Sequence, residues 1–284
     1  MTTETNPFAM PAPRSHECPL HGPYSAYLDE ATCPACAKAL EDEARQLADQ
    51  LEMFNAWRSA GFPQRLAHKS RAGWKPGNAH DRAAIAVIDG FARQLVDHSV
   101  TGRGILLHGG VGTGKSHLLC ALLGDCIELG ASRPRYYVVP DLLATHRAAQ
   151  NERITPMDDA RAADVLVLDE IAAAPMTEWA SAELFRLIDY RHRECRMTLI
   201  GTNATADQLP KLIGERAADR LRESCVWLSL SGESKRGKAT LPPDHVRFAE
   251  PPREAIARVW KGDAGWQELT KQIDARAILN RNGA

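Results

Sequence analysis

The stretch GILLHGGVGTGKSHLLCALL, residues 104–123, decides the fold of this 284-residue chain. A short apolar run leads into four glycines within six positions, and an apolar run at helical spacing follows. The turn fits the pattern G-x4-G-K-[ST] with Gly109, Gly114, Lys115 and Ser116, the signature of a loop whose backbone amides curl around phosphate oxygens. In that reading Gly109, Gly110, Val111, Gly112, Thr113, Gly114, Lys115, Ser116 and His117 form the cradle of a nucleotide. Lys115 reaches the outer phosphates, the Ser116 hydroxyl ligates magnesium, and the helix that starts there turns its positive end toward the anion. A strand before and a helix after separate such a loop from an incidental glycine-rich turn.

Downstream, the apolar runs RYYVV (135–139), DVLVLD (164–169), MTLIGT (197–202) and CVWLSLS (225–231) alternate with helical stretches such as PDLLATHRAAQ (140–150) and AELFRLIDYRHREC (182–195). Strands without polar alternation, separated by helices, are buried on both faces. The expected fold is therefore α/β, with a mainly parallel five-stranded sheet flanked by helices. In such a sheet the carboxyl ends of the strands open on the ligand crevice. DVLVLD ends there in Asp169, followed by Glu170, which places Asp169 to hold magnesium and Glu170 to polarise an attacking water. The added glutamate favours hydrolysis over phosphoryl transfer to a small molecule, the other chemistry that a phosphate loop serves. MTLIGT runs into Asn203, whose amide at a strand end can touch a γ-phosphate or the lytic water; the alternative is that Asn203 simply opens a turn. Arg216 and Arg220 fall one turn apart on a helix expected through residues 210–224, and arginine suits the charge on a transferring phosphoryl group.

Near the second core strand, Arg133, Arg135, Tyr136, His146, Arg147 and Arg153 mix cations with an aromatic, a composition that suits a groove tracking single-stranded DNA. Tyr136 and Tyr137 fit a strand core equally well, and Arg147 a solvated helix face. Near the front, Cys18, His21, Cys33 and Cys36 form C-x2-H-x11-C-x2-C. Two close pairs of soft or borderline donors favour a closed, tetrahedral zinc site, with His16 as an alternative to His21. So small a module has too few apolar residues to fold unaided, and the metal would supply folding energy. Cys120, Cys126, Cys195 and Cys225 lie among apolar neighbours and read as core.

Residues 37–61 carry Leu40, Ala44, Leu47, Leu51 and Phe54 at helical spacing; residues 62–81 have no clear period, and a helix is expected from about residue 81 to 96. The expected domains are 1–42, a zinc-binding module; 43–80, a connecting helix and linker; 81–240, the ATPase core; and 241–284, a C-terminal extension in which Trp260 and Trp266 read as packing anchors. Thirty-five basic against 36 acidic side chains excludes a histone-like mode of nucleic-acid binding and leaves room for a local basic groove. No window approaches the ~18 consecutive apolar residues of a membrane span, and the start has no signal-peptide core, so no membrane partner and a cytoplasmic location are expected.

The ordered set GGVGTGKSHL, LVLDEI, TLIGTNAT, GERAADRLRE and SGESKRG resembles the DnaC/IstB group of AAA+ ATPases, helicase loaders and transposition helpers related to the bacterial initiator ATPase. The resemblance covers roughly residues 60–240. It implies that Lys115 and Ser116 bind ATP, that Asp169 and Glu170 serve magnesium and hydrolysis, and that Asn203 is sensor 1. Arg220 in R-x3-R-L looks like a finger acting on a neighbouring subunit, with Arg216 second. Arg236 in SKR looks like a sensor-2 residue, with Lys235 where relatives carry an aromatic. FPQRL resembles the family's I-P-x-R-[FY] element, with Leu66 for the aromatic. Similar zinc-ribbon fronts occur on phage-type DnaC-like proteins. The resemblance thus implies a loader that self-associates into a spiral and places a hexameric replicative helicase on single-stranded DNA, ATP binding ordering the assembly and hydrolysis releasing it. The alternatives are an IstB-like helper acting on target DNA for a transposase, and a nucleotide-gated adaptor with little hydrolysis.

Overall fold

The computed structural model describes residues 13–27, 32–67, 69–149, 151–173, 176–232 and 234–235. Arg236 and the whole of the expected extension 241–284, with Trp260 and Trp266, lie outside the described residues. The chain divides into two compact units, Met1–Leu51 and Glu52–Ala284. In the first, β1 (Arg14–Cys18) pairs antiparallel with β2 (Gly22–Ala26). The helix α1 (Pro34–Ser59) begins in this unit and ends in the second, where Phe54 and Ala56 are buried. Its apolar stripe is unevenly covered, since Leu40 remains 57% exposed.

The second unit continues with α2 (Ala79–Arg93) and α3 (Leu95–Thr101), then β3 (Gly104–Gly109) and α4 (Lys115–Glu128). β4 (Pro134–Val138), α5 (Val139–Ala148), α6 (Pro156–Ala162), β5 (Val165–Asp169), α7 (Glu178–Arg193), β6 (Met197–Thr202), α8 (Leu209–Ile213), α9 (Glu215–Ser224) and β7 (Cys225–Leu230) follow. The five strands from β3 onward form one sheet in the order β4-β5-β6-β3-β7, every pairing parallel. Alternate residues along each strand point to opposite faces. Ile105, Leu107, Val167 and Leu199 pack with Ile88 and Phe91 of α2 and Leu118 and Leu122 of α4. Leu106, Leu166, Leu168 and Ile200 pack with Leu142, Leu184, Leu187 and Leu221 of α5, α7 and α9. Two covered faces explain why the strands read as unbroken apolar runs. The chain goes from β3 to the far edge and returns strand by strand, then places β7 on the other flank of β3. That reversal opens a crevice at the carboxyl ends of β3 and β6.

Several local expectations are corrected. The helix expected through residues 210–224 breaks at Gly214, whose φ of 91° separates α8 from α9. Helix α6 was not expected from periodicity; Thr155 caps it, accepting from the Asp158 amide while the Asp158 carboxylate accepts from the Thr155 amide, a capping box. Cys195 is exposed and not core. It sits at the left-handed residue (φ 47°) just after α7, where Cys195 N–H reaches His192 O at 3.2 Å and Arg196 N–H reaches Arg191 O at 2.8 Å. That is the Schellman closure, a position more often filled by glycine. Among the described residues no helix is long and apolar enough to cross a membrane.

Candidate nucleotide site and metal cluster

The phosphate loop leaves β3 at Gly109 and enters α4 at Lys115. Gly112 (φ 84°) and Gly114 (φ 97°) hold left-handed conformations, and each is pressed on its open side, by Ser234 and by the Trp74 indole, with no space for a Cβ. Thr113 is buried, its hydroxyl donating to Gly110 O at 3.0 Å. Lys115 is 7% exposed and its ammonium donates to the carbonyls of Gly109 and Gly110, both at 2.8 Å. The linker is tied to this loop where His117 Nε2 donates to Ser70 O at 2.8 Å.

A cleft of about 310 Å³ opens above the loop, at the small end of the range for ligand pockets. Val111, Gly112, Gly114, Lys115, Ser116 and His117 line it from the loop and α4; Asp169 and Glu170 from the end of β5; Thr202 and Asn203 from the end of β6. Gly109, Gly110 and Thr113 belong to the loop without lining the cleft. Asp169 is 3% exposed. Its Oδ2 accepts the Tyr136 hydroxyl at 2.6 Å and its Oδ1 accepts the Glu170 N–H at 3.0 Å. Glu170 itself has φ 57°, a left-handed conformation costing a non-glycine residue about 1–3 kcal/mol. Burial, then the Asp169 charge, pushes the Tyr136 phenol far above its usual range, so it stays neutral and donates. Burial and then the Lys115 charge push His108 down. Hard oxygen donors from Ser116 and Asp169 at the cleft wall fit magnesium, which keeps several waters and takes one or two carboxylates from the protein.

Arg216 and Arg220 lie on α9 and do not line the cleft. Arg220 donates to Asp189 at 3.2 Å and to Glu223 at 3.0 Å, contacts that raise its pKa further. Of the residues considered for DNA, Tyr136 is 5% exposed with its hydroxyl on Asp169 and is no groove residue. Arg133 pairs with Asp164 (3.5 Å) and Arg135 with Asp159 (2.5 Å), while Arg147 lies 5.6 Å over the Trp179 ring.

Sequence reasoning missed Lys69 altogether, and the parts that Tyr136 and Lys235 play at the cleft. Leu66 and Lys69 join the cleft wall from the linker, and Lys235 from the segment after β7. Lys235 N–H donates to Gly112 O at 2.8 Å. Its ammonium donates to Asp81 Oδ2 at 2.5 Å and Lys75 O at 2.7 Å, 3.9 Å over the Trp74 ring. Burial pushes Asp81 up, but Lys235 and the Gly77 amide outweigh it, and the carboxyl is held below its usual range. The departure from the aromatic at position 235 was the signal: an ammonium over Trp74 fills that place.

In the first unit, Cys18, His21, Cys33 and Cys36 bring their donor atoms within 4.8 Å of one another. Cys18 Sγ lies 3.6 Å from both His21 Nδ1 and Cys36 Sγ; Cys33 and Cys36 lie 3.8 and 3.3 Å from His21 Nδ1. Edges of about 3.5–3.8 Å follow from Zn–S and Zn–N bonds of about 2.3 and 2.0–2.1 Å at tetrahedral angles, so the donor set fits zinc. The Leu20 amide draws the Cys18 thiol down to about 6, and Cys18 pushes Cys36 up to about 11. His16, the alternative ligand, stacks on Tyr24 instead, with centroids 5.4 Å apart.

Among curated proteins, the chain is 28% identical over 140 residues to the replicative helicase loader DnaC of Escherichia coli K12, covering 48% of this chain and 57% of that protein. It is 30% identical over 165 residues to an ATP-binding protein of insertion sequence IS21 from Pseudomonas aeruginosa, covering 56% of this chain and 60% of that protein. The chain thus spans less than two thirds of either relative. Of solved structures, the DnaC helicase loader superposes with a TM-score of 0.55 at 22% identity, covering 60% of this chain and all of that one. The replication initiator DnaA bound to AMPPCP and single-stranded DNA superposes with a TM-score of 0.51 at 16% identity, covering 61% of this chain and 52% of that one. These likenesses agree on the α/β AAA+ fold. The family model for IstB-like ATP binding proteins matches residues 93–241, just over half of the chain, and the chain belongs to the IstB-like ATP binding protein family.

Proposed function

We propose that this protein is a magnesium-dependent ATPase that loads a hexameric replicative helicase onto single-stranded DNA. One observation carries the ATPase reading: Lys115, Ser116, Asp169, Glu170 and Asn203, from three separate strand ends, line one cleft. Lys115, now on loop carbonyls, exchanges them for phosphate oxygens; Glu170 orients the attacking water and takes its proton; Asn203 senses the terminal phosphate. Magnesium held by Ser116 and Asp169 would draw off charge on the phosphate oxygens. Arg220 completes a neighbour's site after leaving Asp189 and Glu223, and Arg236 acts as sensor 2 in its own.

The helicase partner is supported by the DnaC likeness, and on this reading the module that carries the four-ligand cluster recruits it. The second reading, a helper of transposition, is favoured by the IS21 likeness. Capture by the full chain, with ATP and with ADP, of purified replicative helicase and of transposase from the same genome separates the two. The loader reading expects nucleotide-dependent retention of the helicase; retention of the transposase alone would overturn it.

A further inference from the structure

Tyr136 lies on β4 opposite Val167 in the parallel register, so its side chain shares the sheet face of Val167 and Asp169. From there its hydroxyl donates to Asp169 Oδ2 at 2.6 Å, while Oδ1 accepts the Glu170 amide at 3.0 Å. Asp169 Oδ1 also abuts Gly201, where no Cβ would fit. The carboxylate is therefore held on both oxygens and along one side before any ligand arrives. Ser116 adjoins the same phenol, so Tyr136 touches both side chains that would hold the cation. Nothing in the sequence motifs connects a residue of β4 with this job.

We propose that Tyr136 is a positioning residue that sets the cation preference of the nucleotide site, holding Asp169 in the single orientation that suits magnesium and disfavours calcium. This rests on the reading of Ser116 and Asp169 as the groups that hold the cation. Magnesium demands near-ideal octahedral geometry at about 2.0–2.1 Å, whereas calcium accepts irregular shells at about 2.3–2.6 Å. A carboxylate that regains its rotation therefore loses more for magnesium than for calcium. Loss of a hydrogen-bonding partner behind a metal ligand typically lowers metal affinity ~10–100-fold.

The test is binding of a fluorescent ATP analogue to the full chain in EDTA and in titrations with magnesium and with calcium. Tyr136→Phe keeps the ring and removes only the donor. It is expected to bind metal-free nucleotide like the wild type, to need ~10-fold more magnesium for half-maximal enhancement, and to change its calcium requirement by less than ~3-fold. Unchanged magnesium dependence, or equal losses for both cations, would overturn the proposal. Asp169→Ala run in parallel separates the failures: a shift there without one in Tyr136→Phe removes only the positioning role, and no shift in either removes the reading of Asp169. Should Tyr136→Phe not fold, fluorotyrosine placed at position 136 alone gives a second readout. Its ¹⁹F resonance is expected to move when magnesium is added to the nucleotide-loaded protein, and an unmoved resonance would overturn the proposal.

Discussion

Arg191→Met is expected to destabilise the core by about 3–5 kcal/mol. The Arg191 side chain is 1% exposed and has no carboxylate partner within its hydrogen-bond set. Its guanidinium donates to the carbonyls of Ala160 (2.9 Å), Arg161 (3.3 Å), Ala163 (2.7 Å) and Met197 (2.6 Å), and to Thr198 Oγ1 (3.0 Å). The charge is balanced by the carbonyls at the end of α6 and the start of β6 and by the Asp164 carboxylate, against the opposing charge of Arg196. Burial lowers its pKa to about 9, which leaves it a cation at neutral pH. Hydrogen bonds to a charged donor contribute about 1.5–3 kcal/mol each, but burying the guanidinium costs several kcal/mol, so the bonds do not simply add. The loss comes from the carbonyls of Ala160, Arg161 and Met197, stranded at about 1–3 kcal/mol each while Ala163 O keeps Arg196 Nη1 at 3.4 Å, offset by relaxation and by about 1.5–3 kcal/mol from the buried Met side chain. At about 2–4 °C per kcal/mol for a domain of this size, the melting temperature falls by ~6–20 °C. Arg193→Met is the control, since Arg193 is 63% exposed and pairs across the surface with Asp189 at 3.1 Å; it is expected to stay within about 0.5 kcal/mol. Differential scanning calorimetry reads both. A melt of Arg191→Met within about 2 °C of wild type would refute the account of this buried cation. Arg191 joins the entries of β5 and β6, the strands that carry Asp169 and Thr202 to the cleft, so weaker nucleotide binding should accompany the loss.

Lys235→Met leaves Asp81, 1% exposed, as an unpaired buried carboxylate, at an expected cost of about 2–4 kcal/mol near neutral pH. Asp81 is held below its ordinary value in the folded protein, so the pair's stabilisation is present above the ordinary carboxylate pKa and lost as pH falls through the lowered one. The gap between wild-type and variant melting temperatures should therefore close in acid; a gap independent of pH contradicts the pairing. Protein purified without chelators should carry about one zinc per chain, with Cys33→Ser and Cys36→Ser each losing it. Elemental analysis of the unmodified chain that finds no zinc would remove the metal from the first unit.

The sheet was legible because its strands are uniformly apolar and its loop and carboxylate motifs sit at strand ends, where chemistry and topology coincide. Gly109 to Ser116, Asp169, Glu170 and Asn203 needed no tertiary information. Tyr136 was not legible, since an aromatic in a strand reads as core and its hydroxyl acquires meaning only once the β4–β5 register sets it beside Asp169. Lys235 and Lys69 reach the cleft through long-range packing of irregular segments, which leaves no period to read. Cys195 was misread as core by grouping it with the other distal cysteines, although Glu194 and Arg196 flank it in the sequence, and the turn after α7 directs it outward. Helix α6 is too short for a periodic signal and announced itself only through Thr155-Pro156 and Asp158.

The central claim is that one cleft binds ATP through Lys115 and hydrolyses it with water positioned by Glu170. Nucleotide binding and phosphate release measured side by side on wild type, Lys115→Ala and Glu170→Gln test it most directly. The account predicts that Lys115→Ala loses binding, while Glu170→Gln binds ATP as the wild type does and turns it over at least ~100-fold more slowly. Equal hydrolysis by Glu170→Gln and wild type would contradict it.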